Sequence, residues 1–359
     1  MKVLVLEKEG ESVKETLETF VSDVNYHRGQ AETGEYGKFA QMETSLMFRK
    51  EYGDLTIFKY ARKVFYKNLW LKNTPEINTL LLRARGIVFD RLGNVISYPF
   101  DKVFNHGEVL RNIQNEVVTE NTLENKAYQF VEKLNGFLGI ISQDFYNRNG
   151  LLIHTSGSLE GPYIQYIKDF ISEEQRIAML KFFKTRGKHT LMFEVLHPDD
   201  PHIIPYSADQ FGLYLIGCRD ISSSSLDDMR LFSETELDTL ASELGFRRPA
   251  HFVESYEVFK NRISTEKIEG YMVRDIDTGK HILKIKFPYY LVTKFLSRMG
   301  ADSWSLLFAN LQKFIELKQV DEEFFLLIEY ISSHREDFQE LDEIGKGEKI
   351  REYLGGVYG

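Results

Sequence analysis

Hydrophobic and polar positions alternate differently in two parts of the chain. From residue 55 onward, short alternating or wholly apolar runs separated by turn-forming residues predict β-strands. After Pro288 the apolar spacing becomes helical throughout. The pattern therefore predicts an α+β fold of antiparallel sheets with flanking helices over residues 1–288, followed by a small all-helical domain over residues 289–359.

The strand and helix patterns also predict where the individual elements lie in the sequence. The predicted strands cover residues 55–60, 86–90, 95–98, 127–132, 137–145, 151–155, 189–196, 211–218, 268–276 and 281–287. The predicted helices cover residues 12–24, 163–171, 234–244, 255–263, 289–299, 304–317 and 324–331. The polar residues 26–38 are predicted to form a loop, and residues 133–136 and 147–150 are predicted to be hairpin turns.

Composition narrows the class of protein. The chain is 43% hydrophobic and carries 27 Phe and 19 Tyr, which predicts a folded globular protein. Its single cysteine, Cys218, excludes an internal disulfide and a cysteine-based zinc cluster, and its apolar neighbours predict a buried, unreactive thiol. No apolar run approaches the roughly eighteen residues that a membrane span requires. We therefore expect a cytoplasmic protein without a membrane partner, in a bacterial cell or, for a viral protein, in the host cytoplasm.

The net charge of −9 at pH 7 by itself disfavours a nucleic-acid partner, because phosphate binding requires positive potential. A local basic groove on an acidic surface is nevertheless sufficient. Arg62, Lys63 and Lys67 lie among aromatic residues, a mixture suited to phosphates and stacked single-stranded bases, and they are candidate RNA-binding residues. The alternative is a solvated helix or loop with aromatic side chains in the core.

Lys133 is the leading candidate for a reactive residue. It lies between two strongly apolar predicted strands, where partial desolvation and nearby cations would lower its pKa and produce a neutral amine nucleophile. Gly136, three residues later, would allow the backbone to approach a nucleotide closely. The alternative is an exposed lysine at a hairpin.

Two further lysines and two carboxylates lie on predicted strands. Lys284 and Lys286 share one face of a strand, which indicates either a phosphate clamp or an ordinary solvated face. Glu194 and Glu269 each lie in an apolar run, which indicates a salt bridge to a lysine or a site for a hard metal ion. We expect these acids and the three lysines to lie on strands of one sheet.

The order of these residues resembles that of the covalent nucleotidyltransferases, which include DNA ligases, RNA ligases and mRNA capping enzymes. That order is Lys-x-x-Gly at residues 133–136, a strand Glu194, Glu-Gly at residues 269–270 and Lys-x-Lys at residues 284–286. More narrowly, residues 83–89 and 97–105, together with 267–271 and 284–290, are similar to motifs of the bacteriophage-type RNA ligase 1 family. The resemblance covers about residues 55–290.

This resemblance implies a nucleotidyltransferase domain, related to ATP-grasp folds, that seals RNA in three steps. Lys133 would attack the α-phosphate of ATP, AMP would pass to an RNA 5′-phosphate, and an RNA 3′-hydroxyl would then displace AMP. The implied partner is RNA with these ends, single-stranded or a broken loop, bound by a monomer.

The resemblance also implies a role for each site residue. Arg85 and Lys102 would hold the triphosphate, and Lys284 and Lys286 would contact the α-phosphate. Glu132 and Gly136 would bind further parts of ATP, and Glu269 would bind Mg²⁺ or Mn²⁺. Glu194 would contact the ribose or a metal-bound water, and the pocket wall would include Phe104, Asn105 and Tyr290. The last three are equally compatible with core or structural positions.

The sequence departs from the family pattern at two positions. Asn135 replaces the usual Asp, and Ser156 replaces a usual basic residue. Helices rather than a β-barrel are predicted after Lys286, which ranks a DNA ligase or a capping enzyme below an RNA ligase. The alternatives left open are a DNA-sealing ligase and a nucleotide- or RNA-binding protein of this fold without full ligation activity.

Overall fold

Three four-stranded antiparallel sheets form the framework of the described chain. The computed structural model describes residues 34–66, 73–107, 109–111, 117–120, 123–144, 150–263 and 265–358. The strand orders are β1-β2-β3-β4 in the first sheet, β11-β10-β8-β9 in the second and β12-β7-β13-β14 in the third, with β5 and β6 forming a separate pair. The strands are β1 Met47–Tyr52, β2 Leu55–Tyr60, β3 Arg85–Asp90, β4 Val95–Ser97, β5 Val109–Arg111, β6 Val117–Glu120, β7 Ala127–Glu132, β8 Phe137–Asp144, β9 Gly150–Thr155, β10 His189–Leu196, β11 Gly212–Asp220, β12 His251–Ser255, β13 Gly270–Arg274 and β14 His281–Lys286.

Helices flank these sheets and make up the whole region after β14. They are α1 Glu35–Ala40, α2 Lys63–Tyr66, α3 Pro75–Arg83, α4 Pro162–Asp169, α5 Glu173–Arg186, α6 Glu234–Leu244, α7 Tyr256–Ile263, α8 Pro288–Leu296, α9 Ala301–Ala309, α10 Leu311–Lys318, α11 Phe325–Ser333, α12 Arg335–Gln339 and α13 Glu343–Tyr358. Single 3₁₀ turns cover Ala208–Gln210, Leu226–Asp228 and Glu322–Phe324. Within the described residues, none of the helices combines the length and apolar composition needed to cross a bilayer.

The predicted α+β class and the ten predicted strands are confirmed, with strand ends shifted by one or two residues. The predicted loop over residues 26–38 is wrong in its described part, because α1 begins at Glu35. This helix is held by packing, since Phe39 lies 5.6 Å from Phe58 and 5.5 Å from Phe89 between ring centroids. The helix predicted over residues 12–24 lies outside the described residues.

Several elements had no individual prediction, namely β1, β12, the short pair β5 and β6, and the helices α2, α3, α5, α12 and α13. One of them carried a local signal that the periodicity analysis missed. The 14-residue helix α5 begins with a capping box, in which Ser172 and Gln175 satisfy each other's backbone N–H groups. Its apolar positions do not form a narrow stripe, and the capping residues were therefore the better guide to this helix.

The connection at residues 133–136 is not a hairpin turn. The preceding strand β7 pairs with β12 and β13 in the third sheet, whereas the following strand β8 pairs with β9 and β10 in the second. Residues 133–136 therefore cross from one sheet to the other. The crossing passes so close to β10 that a Cβ on Gly136 would lie 2.2 Å from the carbonyl oxygen of Val195. Glycine is required here by this contact within the protein.

The helices after Pro288 share a core with the third sheet. Buried side chains from β7, β13 and β14 pack in one cluster with side chains from α8 to α13, including Phe295, Leu307 and Ile328. The helix predicted over residues 304–317 is interrupted at Asn310, whose side-chain oxygen accepts the backbone N–H of Lys313 and caps α10. The domain boundary at residue 288 stays a prediction.

Candidate active site

Lys133 lies at the crossing between the second and third sheets. Its backbone N–H donates to the carbonyl of Gly270, at 2.9 Å, and its Nζ lies 2.8 Å from Oε1 of Glu269. Gly270 opens β13 with φ +141°, and a Cβ there would lie 1.9 Å from the carbonyl oxygen of Ile285. Close pairing of β7, β13 and β14 thus brings a carboxylate from a distant part of the sequence against the lysine.

The charge state of Lys133 differs from the prediction. Burial alone would lower the pKa of Lys133, but the carboxylates of Glu269 and Glu194 outweigh burial and the nearby Lys286, so that the pKa is raised. The predicted lowering of this pKa is therefore wrong. Burial would raise the pKa of Glu269, but Lys133 and Lys286 lower it overall. Lys133 and Glu269 therefore form a pair of an ammonium group and a carboxylate.

Asn135 holds the other oxygen of Glu269. Its Nδ2 donates to Glu269 Oε2 at 2.8 Å, and its Oδ1 accepts the backbone N–H of Ile204 at 3.1 Å. Its own backbone N–H donates to the hydroxyl of Tyr206 at 2.7 Å. An ionised aspartate at this position has no donor for Glu269 and would place two carboxylates in contact. The amide therefore matches this particular arrangement of Glu269.

Glu194 reaches Lys133 from the second sheet. It lies on β10, and its Oε1 accepts the backbone N–H of Gly136 at 2.9 Å. Burial raises the pKa of Glu194, although Lys133 attracts its charge and limits the rise. The expectation that both acids and all three lysines lie on one sheet is wrong. Lys284 and Lys286 lie on β14 of the third sheet, Lys133 follows β7 and Glu269 precedes β13, whereas Glu194 lies on β10 of the second sheet.

Lys133 and Glu194 line a cavity of about 240 Å³ between the two sheets, here named the apolar cavity. Its walls are mostly hydrophobic and include several charged side chains. They are formed by Arg85, Phe100, Val103, Val131, Glu132, Lys133, Leu134, Gly136, Leu138, Glu194, Ile216, Met272, Arg274, His281 and Lys284. Six of the predicted site residues therefore lie around one cavity, which also has an apolar surface large enough for a planar ring.

A second cavity of about 240 Å³, here named the cationic cavity, shares Arg85 and Lys284 with the first. Six cationic side chains and two carboxylates contribute to its described wall. The lining residues are Tyr60, Arg62, Arg85, Lys102, Lys284, Lys286, Lys294, Gln319, Val320, Asp321 and Glu323. This excess of positive charge suits a polyanion. Because the two cavities share wall residues, a single ligand with an apolar end and an anionic end can occupy both.

Three of the remaining predicted residues, Phe104, Asn105 and Tyr290, contact β14 rather than line these cavities. Phe104 and Asn105 pair through their backbone with the edge of β14 at Lys284. Tyr290 is buried in the core, with its ring centroid 5.2 Å from Lys286 Nζ. Lys63 belongs to α2 and lines neither cavity, whereas Lys67 lies outside the described residues.

The structure adds a lysine beside the position where the family has a basic residue and this chain has Ser156. Lys59 lies opposite Arg85 in the pairing of β2 with β3. Its Nζ approaches Gly157, at 3.4 Å from the position of a Cβ there. Burial and the neighbouring Arg85 and Arg62 lower the pKa of Lys59. Positive charge beside Ser156 thus comes from another strand, which the sequence order does not reveal.

The architecture matches solved ligase structures. An archaeal ATP-dependent RNA ligase aligns over 94% of this chain and 78% of its own, with a TM-score of 0.53 and 16% sequence identity. At this identity the likeness concerns the fold alone. The fold of this chain is therefore the nucleotidyltransferase fold.

The sequence profile of the RNA ligase family matches residues 83–291, which is more than half of the chain. The chain belongs to this family. RNA ligase 1 of bacteriophage TS2126 is 30% identical over 158 residues, which are 42% of this chain and 38% of that protein. The RNA ligase of Rhodothermus phage RM378 is 25% identical over 227 residues, covering 52% and 48%. The chain thus matches less than half of the length of each of these two relatives.

Proposed function

We propose that the protein is an ATP-dependent RNA ligase that joins a 5′-phosphate to a 3′-hydroxyl through AMP bound covalently to Lys133. The position of the Lys133 amine carries this proposal. The amine lies 2.8 Å from Glu269 and in the wall of the apolar cavity, where that cavity adjoins the cationic one. A nucleotide with its base in the apolar cavity and its distal phosphates in the cationic cavity would have its α-phosphate close to the Lys133 amine.

The residues around the lysine have matching roles in this proposal. Arg85 and Lys102 would hold the triphosphate, while Lys284 and Lys286 would contact the α-phosphate. Glu132 and Gly136 would border the nucleoside. Glu269 orients the amine through a direct hydrogen bond, and Asn135 in turn fixes Glu269.

A divalent cation, Mg²⁺ or Mn²⁺, belongs to the proposal. The described residues contain no group of three or more His, Cys, Asp or Glu that could hold a metal ion by themselves. Mg²⁺ commonly takes only one or two carboxylates and completes its shell with water and phosphate oxygens. Glu194 and Glu269 would supply these carboxylates, because both lie close enough to Lys133 to raise its pKa. The bound ion would neutralise phosphate charge during phosphoryl transfer.

Three phosphoryl transfers follow from this assignment. Neutral Lys133 Nζ bonds to the α-phosphorus, the bond to the β-phosphate oxygen breaks, and pyrophosphate leaves. An RNA 5′-phosphate oxygen then takes AMP from Lys133. In the last transfer an RNA 3′-hydroxyl bonds to the 5′-phosphorus, gives up its proton and releases AMP.

The choice between ATP and GTP and the choice between RNA and DNA strands test the proposal directly. We expect ATP labelled at its α-phosphate, but not labelled GTP, to transfer label to the protein in the presence of Mg²⁺. The labelled protein should then seal single-stranded RNA with 5′-phosphate and 3′-hydroxyl ends faster than the matching DNA. Adduct formation without sealing of either strand would favour a binding protein of this fold, and preferential DNA sealing would favour a DNA ligase.

The pH dependence of adduct formation tests the role of Glu269. Because the pKa of Lys133 is raised, the amine is protonated at neutral pH, and the rate should rise with pH by up to about tenfold per unit. Glu269→Gln removes the carboxylate that raises this pKa, so the rising part of the profile should move to lower pH. The maximal rate should fall because the orienting carboxylate is also lost. Single-turnover labelling at a series of pH values measures both effects.

Glu266→Gln is the matched control for this experiment. Glu266 lies three residues earlier and accepts the hydroxyl of Tyr271, away from Lys133. This variant should keep the position of the wild-type profile. An unshifted profile in Glu269→Gln would show that Glu269 does not control the protonation of the nucleophile.

A further inference from the structure

The cationic cavity has a wall built from the C-terminal helical region. Lys294 lines it from α8, and the connection between α10 and α11 contributes Gln319, Val320, Asp321 and Glu323. Lys294 belongs to none of the motifs of the sequence analysis. Its side chain is 13% exposed, comparable with the 8% exposure of Lys286. The helical region therefore contributes charged groups directly to the cavity beside Lys133.

Two carboxylates from this connection are bound to the cations of the cavity. Glu323 forms ion pairs with Lys286 and with Lys294, the latter at 2.6 Å. Asp321 lies 3.2 Å from Lys294, 3.3 Å from Arg62 and 2.9 Å from Arg298. The acidic pair Asp321 and Glu323 thus places carboxylate oxygens at hydrogen-bond distance from three cations in the cavity wall.

These oxygens lie where oxygens of a bound polyphosphate would need to lie. An ammonium group that already donates to a carboxylate must share or exchange that partner before it can donate fully to a phosphate. Glu323 is almost completely buried, with 7% of its side chain exposed, and Lys286 and Lys294 lower its pKa despite the burial that would raise it. The carboxylate is therefore charged and competes with any anion that enters.

We infer that Lys294 is a further polyphosphate-binding residue and that Asp321 and Glu323 occupy its cavity until the distal phosphates of ATP, or pyrophosphate, replace them. The inference rests on the proposed function for the identity of the anion. The helical region would then take a direct part in the first transfer. It would supply Lys294, which binds the leaving pyrophosphate, and also the two carboxylates that this pyrophosphate displaces.

Binding of inorganic pyrophosphate, measured by isothermal titration calorimetry on the full chain, tests the inference. Lys294→Ala should weaken binding about tenfold or more, since a charge-assisted contact is lost. Glu323→Gln should tighten binding about tenfold, because it keeps the shape of the side chain and removes the competing charge. Lys313→Ala, at an exposed position on α10, is the matched control and should bind as the wild type does.

Kinetics of adduct formation separate competition from positioning. If Glu323 competes, Glu323→Gln lowers KM for ATP with little change in kcat. A fall in kcat at unchanged KM, or unaltered pyrophosphate binding by the folded variant, would overturn the inference. Should Glu323→Gln fail to fold, Asp321→Asn replaces it, with the same expected tightening and the same contrary result.

Failure of the proposed function would be recognised separately. It would appear as the absence of any covalent adduct in the wild-type protein. The effects of the variants on pyrophosphate binding can be measured in either case.

Discussion

Replacing Lys133 with alanine should abolish the covalent AMP adduct completely. The variant lacks the only atom that the proposal allows to bond to the α-phosphorus, and water or a neighbouring lysine cannot form the same adduct at this place. Labelling with ATP labelled at its α-phosphate, followed by denaturing electrophoresis, measures the result. The adduct of the wild-type protein should be labile in acid and stable in base, as a phosphoramidate is.

Lys126→Ala provides the matched control. Lys126 lies just before the same strand, β7, and its side chain is 58% exposed. Its removal should leave labelling close to the wild-type level. Full labelling of the Lys133→Ala protein, with the label mapped to another lysine, would remove Lys133 from the mechanism while leaving the family assignment intact.

Glu234→Gln should destabilise the protein by about 3–5 kcal/mol. Glu234 is buried at the start of α6 and forms ion pairs with both Arg248 and Arg274. Arg274 is only 1% exposed, and its remaining donors bind the carbonyls of Gly279 and Phe232. Loss of the carboxylate charge would leave Arg274 without a counter-charge in a poorly solvated place, while Arg248 would keep its ion pair with Asp238 at 3.2 Å. Urea unfolding followed by circular dichroism measures the change in the free energy of unfolding.

An exposed ion pair serves as the comparison for this loss. Glu243 pairs with Arg186 at 2.7 Å, and both side chains are nearly half exposed. Glu243→Gln should change the free energy of unfolding by less than about 1 kcal/mol. Equal effects of the two substitutions would mean that the buried cluster contributes little. Because Arg274 also lines the apolar cavity, weaker ATP binding should accompany the loss of stability in Glu234→Gln.

Local sequence patterns were sufficient for most strands and for the order of the motifs. In β14, Leu283 and Ile285 are buried in the core while Lys284 alternates with them toward the cavities, as the two-residue period predicted. Helix α5 was missed although its capping residues were present, because its apolar residues do not form a narrow stripe. Helix α1 was missed because aromatic contacts from distant strands hold it.

The sequence by itself determined most of the strands and the order of the motif residues along the chain, because side-chain alternation and motif spacing are local properties. Only the tertiary structure decided the environment of Lys133. Its partner Glu269 is separated from it by five intervening strands in the chain, and residues 133–136 cross between sheets instead of turning within one. A pKa depends on the charges nearest in space, so the Glu269 carboxylate reversed the shift predicted from burial and from neighbouring cations. The acidic pair in the cationic cavity escaped prediction for the same reason, since pairing between Glu323 and Lys286 exists only once the helices have packed on the third sheet.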